Sequence, residues 1–265
     1  MELENRFDEK THTYYIDGKP ATGVTTIIGV LAKPALIGWA AKMAVEHIKE
    51  NAPGISRRMG IQTDEIRDIE YYRVAPELLE EARTAHTKKK EAAGTHGTDA
   101  HALVERYIKT EIMTRSATRS TPIPVPMPMA EMEAIKPFID WAQENVDHFL
   151  FSERRMFNKE LFIAGTCDFA YVDKKGRRMM ADYKTSGGIW GVDYFLQVAA
   201  YKMLAEAEGD EPYVGMTIVR QGKKGLSDFE VQHLFDYETF KEAFLSCLTI
   251  YRAQRAIKDV VIKEV

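Results

Sequence analysis

The chain has 265 residues, 45% hydrophobic and 29% charged, with a formal net charge of −4. This is ordinary globular composition, enough for one elaborated domain; no apolar run nears the roughly 18 residues of a membrane span, and Met1-Glu-Leu-Glu-Asn-Arg6 is no signal peptide, so a cytoplasmic protein without a membrane partner is expected. The acidic balance excludes a protein that coats nucleic acid by bulk attraction, and the two cysteines, Cys167 and Cys247, are too few for a disulfide framework, a four-cysteine zinc site or an iron–sulfur cluster.

Tyr14-Tyr-Ile16, Asp17-Gly18 and Val24-Thr-Thr-Ile-Ile28 predict a hairpin whose second strand starts late, after Pro20 to Gly23. Lys33-Pro34 opens a predicted helix with an apolar face of Leu36, Trp39, Ala40, Met43 and Ile48. Residues 51–72 are polar and weakly helical, broken at Ala52-Pro53-Gly54. A charged helix is expected from Glu77 to about Ala92, carrying Lys88, Lys89 and Lys90 towards solvent or nucleic acid. Gly94 and Gly97 predict a turn or a close backbone approach before another helix, on which His101 and Glu105 stand four residues apart and can face one point. From Thr114 to Met129, proline at alternate positions precludes helix and regular sheet, so an extended loop is expected there. Glu131 to His148 reads as an amphipathic helix with Met132, Ile135, Phe138, Ile139 and Trp141, followed by a strand from Phe149 to Phe157 that contains Glu153.

Residues 165–201 organise the chain. Phe169–Val172 and Met179–Tyr183 predict adjacent antiparallel strands joined by a turn at Asp173-Lys-Lys-Gly176, and each run has an Asp at a strand end, Asp168 and Asp182. Two carboxylates from neighbouring strands repel strongly unless a cation lies between them, and a hard divalent ion such as Mg²⁺ meets that need. Lys184, two residues past Asp182, shares its strand face. A carboxylate, a metal and an ammonium converging on one spot can deprotonate a bound water and neutralise a pentavalent phosphate. The same Asp-x-Lys pattern recurs at Asp8-Lys10, Asp17-Lys19 and Asp173-Lys175 in polar or turn-like surroundings. Asp182 differs in having an apolar strand before it, Asp168 beside it, and a helix from Val192 to Glu208 that presents Gln197 and Tyr201 on one face. Cys167 is expected to point into the core from the opposite strand face. Tyr213–Arg220 and Phe229–Phe235 predict further strands around a basic tip at Gln221–Gly225, and Asp236 caps a final helix from Tyr237 to about Asp259. The basic pairs Arg57-Arg58, Arg154-Arg155, Arg177-Arg178 and Lys223-Lys224 read first as solvated surface.

Gly165-x-x-Asp168, Asp182-x-Lys184-Thr185 and Gln197-x-x-x-Tyr201 together resemble the RecB-like exonuclease branch of the PD-(D/E)XK nuclease superfamily, which includes phage and mitochondrial genome-maintenance exonucleases and CRISPR-adaptation nucleases. Gly97-Thr-x-x-His101-x-x-x-Glu105 is similar to the family's helical motif, and Val24-Thr-Thr-Ile-Ile28 with Lys33-Pro-Ala-Leu36 is similar to the start of phage members. The resemblance implies an α/β fold with a restriction-endonuclease-like core, a mixed central β-sheet flanked by helices, and a helical N-terminal part. Residues 1–265 would form a single nuclease domain, with 1–128 supplying His101 and 129–265 the catalytic core. It implies a metal-dependent DNA exonuclease working by a metal-activated water in phage or cellular replication, repair or recombination. The metal would be Mg²⁺ or Mn²⁺, held by His101, Asp168, Asp182 and the Tyr183 carbonyl, with no iron–sulfur cluster; the imidazole favours manganese. Lys184 would position the nucleophile and Glu153 would reach the site or its surroundings. Gln197, Tyr201, Thr185 and Lys88 to Lys90 would contact the nucleic acid. The partners implied are single-stranded DNA or duplex ends, with a recombination or single-strand-binding protein, in the host cytoplasm if phage-encoded. The alternatives are a structure-specific or restriction-like endonuclease with the same centre, or a catalytically silent nucleic-acid-binding subunit.

Overall fold

A computed structural model describes residues 5–31, 34–58, 68–116, 127–222 and 228–260. The chain forms two compact units, Met1–Leu31 with Asp99–Val265, and Ala32–Thr98. The N-terminal hairpin and His101 group with the larger unit.

The larger unit is built on a mixed eight-stranded sheet: β1 (Arg6–Asp8), β2 (Thr13–Ile16), β3 (Lys19–Gly23), β4 (Val146–Asn158), β5 (Ile163–Asp173), β6 (Arg178–Lys184), β7 (Gly215–Gln221) and β8 (Phe229–Leu234). Its path runs β1-β2-β3-β5-β6-β7-β8, with β4 paired to β5. The β5–β6 hairpin is antiparallel, as expected, while β6 and β7 are parallel. They are joined by helix α6 (Val192–Ala207), because a parallel crossover needs a connection that can span the strand length. Every residue of β7 and five of the seven in β6 are buried, the near-continuous apolar run of strands covered on both faces.

One face packs Cys167, Met180 and Ile218 against α6, α7 (Tyr237–Val260) and α1 (Val24–Ile28) through Leu196, Phe244 and Ile27. Cys167 points into this core, as its position predicts. The other face packs Phe169, Tyr171 and Tyr183 against Phe138 and Trp141 of α5 (Lys136–Asn145), with Val104 and Ile108 from the end of α3 (Asp68–Arg115). The fold is therefore α/β, a mixed sheet flanked by helices with helices in its N-terminal part. Among the described residues no helix is long and apolar enough to cross a membrane.

Four local expectations are corrected. The second hairpin strand is Lys19–Gly23, and Val24–Ile28 is helical. Val24, Ile27 and Ile28 are the residues buried, a helical spacing that puts all three against the core, whereas alternation would expose part of the run. Helix α2 (Pro34–Arg58) continues through Pro53-Gly54, and α3 continues through Pro76, where a helix was expected to begin, and through Gly94 and Gly97, where a turn was expected. Such residues cost about 1 kcal/mol (Gly) to 3 kcal/mol (Pro) within a helix, yet an established helix avoids the larger cost of nucleating again. The helix expected over 131–148 is two, α4 (Met129–Ala134) and α5, because Pro137 donates no hydrogen bond and suits the first turn of a new helix. His148 consequently lies in β4. Thr114 and Arg115 end α3, and residues 117–126 of the proline-rich stretch lie outside the described residues, as do Lys223 and Lys224.

In the smaller unit, α2 and the first part of α3 are linked by His47 Nε2 to Glu81 Oε2 at 3.3 Å and by the edge-to-face rings of Trp39 and His86. Met43 and Ala82 are buried there. Trp39 thus packs within the unit.

Candidate active site

The site lies where β5 changes partners. β3 meets β5 only at Ile163 and Ala164, and β6 pairs with it only at Phe169–Val172. Gly165 to Cys167 are paired on the β4 side instead, so along this stretch the other edge of β5 has no strand ladder among the described residues. Past Ala181, β6 leaves β5 but keeps its parallel partner, with Asp182 opposite Ile218, Tyr183 opposite Val219 and Lys184 opposite Arg220. The Tyr183 N–H donates to Asp168 Oδ2 at 2.7 Å instead of to a β5 carbonyl.

Three elements aim side chains at this opening. His101, on α3, holds Nδ1 3.6 Å from Asp168 Oδ2, and its ring meets Tyr183 edge to face. Glu153 lies between Ser152 and Arg154, which pair with Phe169 and Cys167, and so stands opposite Asp168. Its φ of 50° is the left-handed conformation, uncommon for a residue with a Cβ and costing about 1–3 kcal/mol. Donor atoms of His101, Glu153 and Asp168 all lie within 4.8 Å of one another.

Asp182 is fully buried beside this trio, with Lys184 Nζ 2.6 Å from its Oδ2. This close ion pair is the contact that neutralises the carboxylate, and among the described residues no other group hydrogen-bonds to either of its oxygens. Lys184 Nζ also donates to Gln197 Oε1 at 3.2 Å, and Gln197 Nε2 donates to the Tyr201 hydroxyl at 2.8 Å. The Gln and Tyr spaced four apart on α6 therefore clamp the lysine. Gly165 makes room for them: a Cβ there would stand 2.6 Å from Tyr201 Cε1.

The electrostatics are those of crowded carboxylates. Withdrawal from water, with Asp168 adding repulsion, raises Asp182 to about 7 against the pull of Lys184. Withdrawal from water and the charges of Asp168 and Glu105 push Glu153 to about 8. Asp168 is raised by desolvation, although Lys184 and the Tyr183 amide oppose this. Burial alone would lower Lys184, but Asp182 and Asp168 outweigh it and hold the ammonium protonated. Burial lowers His101, with Asp182 opposing and Lys184 adding to the effect, which favours the neutral imidazole that can act as a ligand.

These residues fit a hard divalent cation. The trio mixes two carboxylates with an imidazole, and among the described residues the buried Asp182 oxygens have no partner besides the Lys184 ammonium, which leaves acceptor capacity for a cation. Glu153, rather than Asp182, completes the close trio with His101 and Asp168, and Tyr183 takes part through its amide. Thr185 follows Lys184, half-buried. Glu105 does not join the trio but pairs with Lys109. Lys88 and Lys89 are exposed in the smaller unit, while the side chains of Lys90, His96, Arg57 and Arg58 lie outside the described residues. Arg154 binds Glu208 and Asp210, Arg155 pairs with Glu9, Arg177 with Asp173 and Arg178 with Glu211.

Sequence reasoning missed Arg220. It is buried at the end of β7, bonded to Asp228 and Glu230, and it donates through Nη1 to the Ser186 carbonyl at 3.2 Å, anchoring the loop after Lys184. The signal was a charged residue closing the strand-forming run Met216-Thr-Ile-Val219.

Neither a family model nor a curated protein matches this sequence. Among solved structures, the one described as "Crystal structure of SSO0001" is similar over 58% of this chain and 74% of its own, at 14% identity and a TM-score of 0.28, a likeness too loose to carry an argument.

Proposed function

We propose that the chain is a metal-dependent deoxyribonuclease acting at strand ends, of the RecB-like kind within the PD-(D/E)XK superfamily. The observation that carries this reading is the convergence of His101, Glu153, Asp168 and the buried Asp182 on one opening, with Lys184 clamped beside them by Gln197 and Tyr201. A structural role explains it poorly, since clustered acids with raised pKa values destabilise the fold.

Asp168, Glu153 and His101, with Asp182, would hold Mg²⁺ or Mn²⁺. A bound ion of this kind supplies Lewis-acid polarisation of the phosphodiester and a more acidic water. Lys184 stays cationic, and it orients the attacking water and balances the charge that develops on the phosphate. Gln197 fixes the ammonium through its carbonyl oxygen, and Tyr201 fixes Gln197. The Tyr183 N–H holds Asp168 in place, so the carboxyl does not have to reorganise during the reaction. Cys167 faces the core with its thiol pushed up by burial, and the reaction proposed is direct attack by water.

The test is digestion of end-labelled single- and double-stranded DNA beside a closed circle, with Mg²⁺, with Mn²⁺ and with EDTA. Metal-dependent release of nucleotides from ends with the circle intact supports the proposal, provided Asp182→Asn abolishes it. Loss of the circle would make the enzyme an endonuclease. Tight DNA binding without cleavage in either metal would leave a silent binding subunit.

A further inference from the structure

The loop from Thr185 to Gly191 joins the strand bearing Lys184 to the helix bearing Gln197, and the contact between those two side chains closes it. It is well anchored. Arg220 binds the Ser186 carbonyl, Ser186 Oγ donates to the Gly188 carbonyl at 2.8 Å, and Ile189 packs against the core. Yet the next residue, Trp190, is 80% exposed. Its benzo ring rests where a side chain on residue 188 would be: a Gly188 Cβ would lie 2.5 Å from both Cε2 and Cζ2. Glycine at 188 lets the indole lie on the backbone, a seat that restrains it while leaving it open to solvent.

An anchored loop that holds its largest aromatic side chain in water calls for an occupant. Scattered surface apolar residues are common, but this one projects from the segment bounded by the two clamped site residues. We infer that Trp190 is a stacking platform for a nucleobase of an unpaired strand whose backbone lies at the Lys184 site; this rests on the function proposed above. The chemistry favours a base for two reasons. Every base has a π-face, and stacking on an aromatic side chain contributes without regard to sequence. A chain with a net charge of −4 cannot hold a strand by bulk attraction, so local contacts must supply affinity, and a stacked base adds to those made to phosphate. Only a base freed from its own neighbours can stack on a protruding indole, which selects single strands or frayed ends over intact duplex.

The experiment titrates the whole chain with a single-stranded oligonucleotide and with an abasic strand of the same length and charge, in Ca²⁺ and again in EDTA, without turnover. The wild type is expected to bind the base-bearing strand more tightly. Trp190→Ala should weaken that strand about 5- to 150-fold, the range set by one stacked base, while leaving the abasic strand unchanged. Trp190→Phe should retain most of the affinity. Unaltered binding by Trp190→Ala, an equal loss on both strands, or a wild type that does not distinguish them would overturn the inference. Because these readouts need no cleavage, a wild type inert with Mn²⁺ would sink the nuclease reading separately. Circular dichroism confirms that the exposed substitution leaves the fold intact.

Discussion

The main-chain N–H of Tyr183 donates to the Asp168 carboxylate at 2.7 Å, at the point where strands β5 and β6 part. A backbone donor released from a sheet must find another acceptor, and here a side chain supplies it. One carboxylate thus satisfies the diverging strand and lines the opening that the divergence creates.

This double duty separates two substitutions. Asp168→Asn keeps an oxygen that can accept from Tyr183, whereas Asp168→Ala leaves that N–H without a partner, a loss of about 1–3 kcal/mol. Both should be inactive in cleavage. Urea unfolding at pH 8 without metal should find the Asn variant at least as stable as wild type, because a repelling charge has gone, and the Ala variant clearly below it. Equal stability of the two variants would show that the amide contact contributes nothing.

The raised carboxyls also set a dependence on pH. Above the ordinary values of 3.8 for Asp182 and 4.5 for Glu153, the unfolded chain has lost these protons while the folded chain keeps them up to about 7 and about 8. The folded state then binds more protons, so stability is greatest on the acid side of this window and falls as pH rises through it. His101, lowered by burial, works the other way below its ordinary 6.5, but it is one group against three, since Asp168 is raised as well. A divalent cation that pairs with the ionised carboxylates should reverse the trend. At one hundred times its dissociation constant it would add about 2.7 kcal/mol, or roughly 5–10 °C in melting temperature for a domain of this size. Thermal melts with and without Mn²⁺ should differ more at pH 8 than at pH 5, and Asp182→Asn should shrink the difference.

The clamp on Lys184 predicts non-additive kinetics. Removing the ammonium with Lys184→Ala should reduce kcat about 10²- to 10³-fold, the range for a lost charge-stabilising donor. Gln197→Ala should cost less, about tenfold, since the lysine remains but is no longer fixed. If Gln197 acts through Lys184, the double variant is no slower than Lys184→Ala, and the cycle gives a coupling of about 0.5–3 kcal/mol. Independent, additive losses would mean that Gln197 touches the substrate on its own account.

Much of this geometry was legible in the sequence. Asp168, Asp182 and Lys184 could be placed because alternation along two short apolar runs fixes both strands and their faces, and Gln197 and Tyr201 because a four-residue spacing puts them on one side of a helix. Glu153 was visible only as a strand carboxylate: its place opposite Asp168 comes from the β4–β5 register, and no local pattern announces its left-handed backbone. Val24 to Ile28 misled because a β-branched run resembles a strand, and only the contact with α6 and α7 shows which period is buried. Pro76 read as a helix start and Gly94 and Gly97 as a turn because local propensity carries no knowledge of a 48-residue helix around them. Arg220 showed only as a charge closing a strand and Trp190 belongs to no pattern, and their roles emerge only when the loop after Lys184 is seen anchored by one and presenting the other.

Gly165 tests whether the packing beneath the site governs its chemistry. A methyl group there would meet Tyr201 Cε1 at 2.6 Å and Val24 Cγ2 at 3.1 Å, on a strand held from the other edge by β4. The ring has nowhere easy to go, since Tyr201 is buried and its hydroxyl accepts from Gln197. Gly165→Ala should therefore destabilise the protein by about 1–3 kcal/mol through overpacking. It should also lower kcat by displacing Tyr201, then Gln197, then Lys184. Tyr201→Leu in the same chain removes the aromatic edge, so it should recover part of the stability and none of the activity. A Gly165→Ala variant that melts with wild type and cleaves at its rate would show that the helix and strand can separate freely here, and that the clamp on Lys184 is not built from this contact.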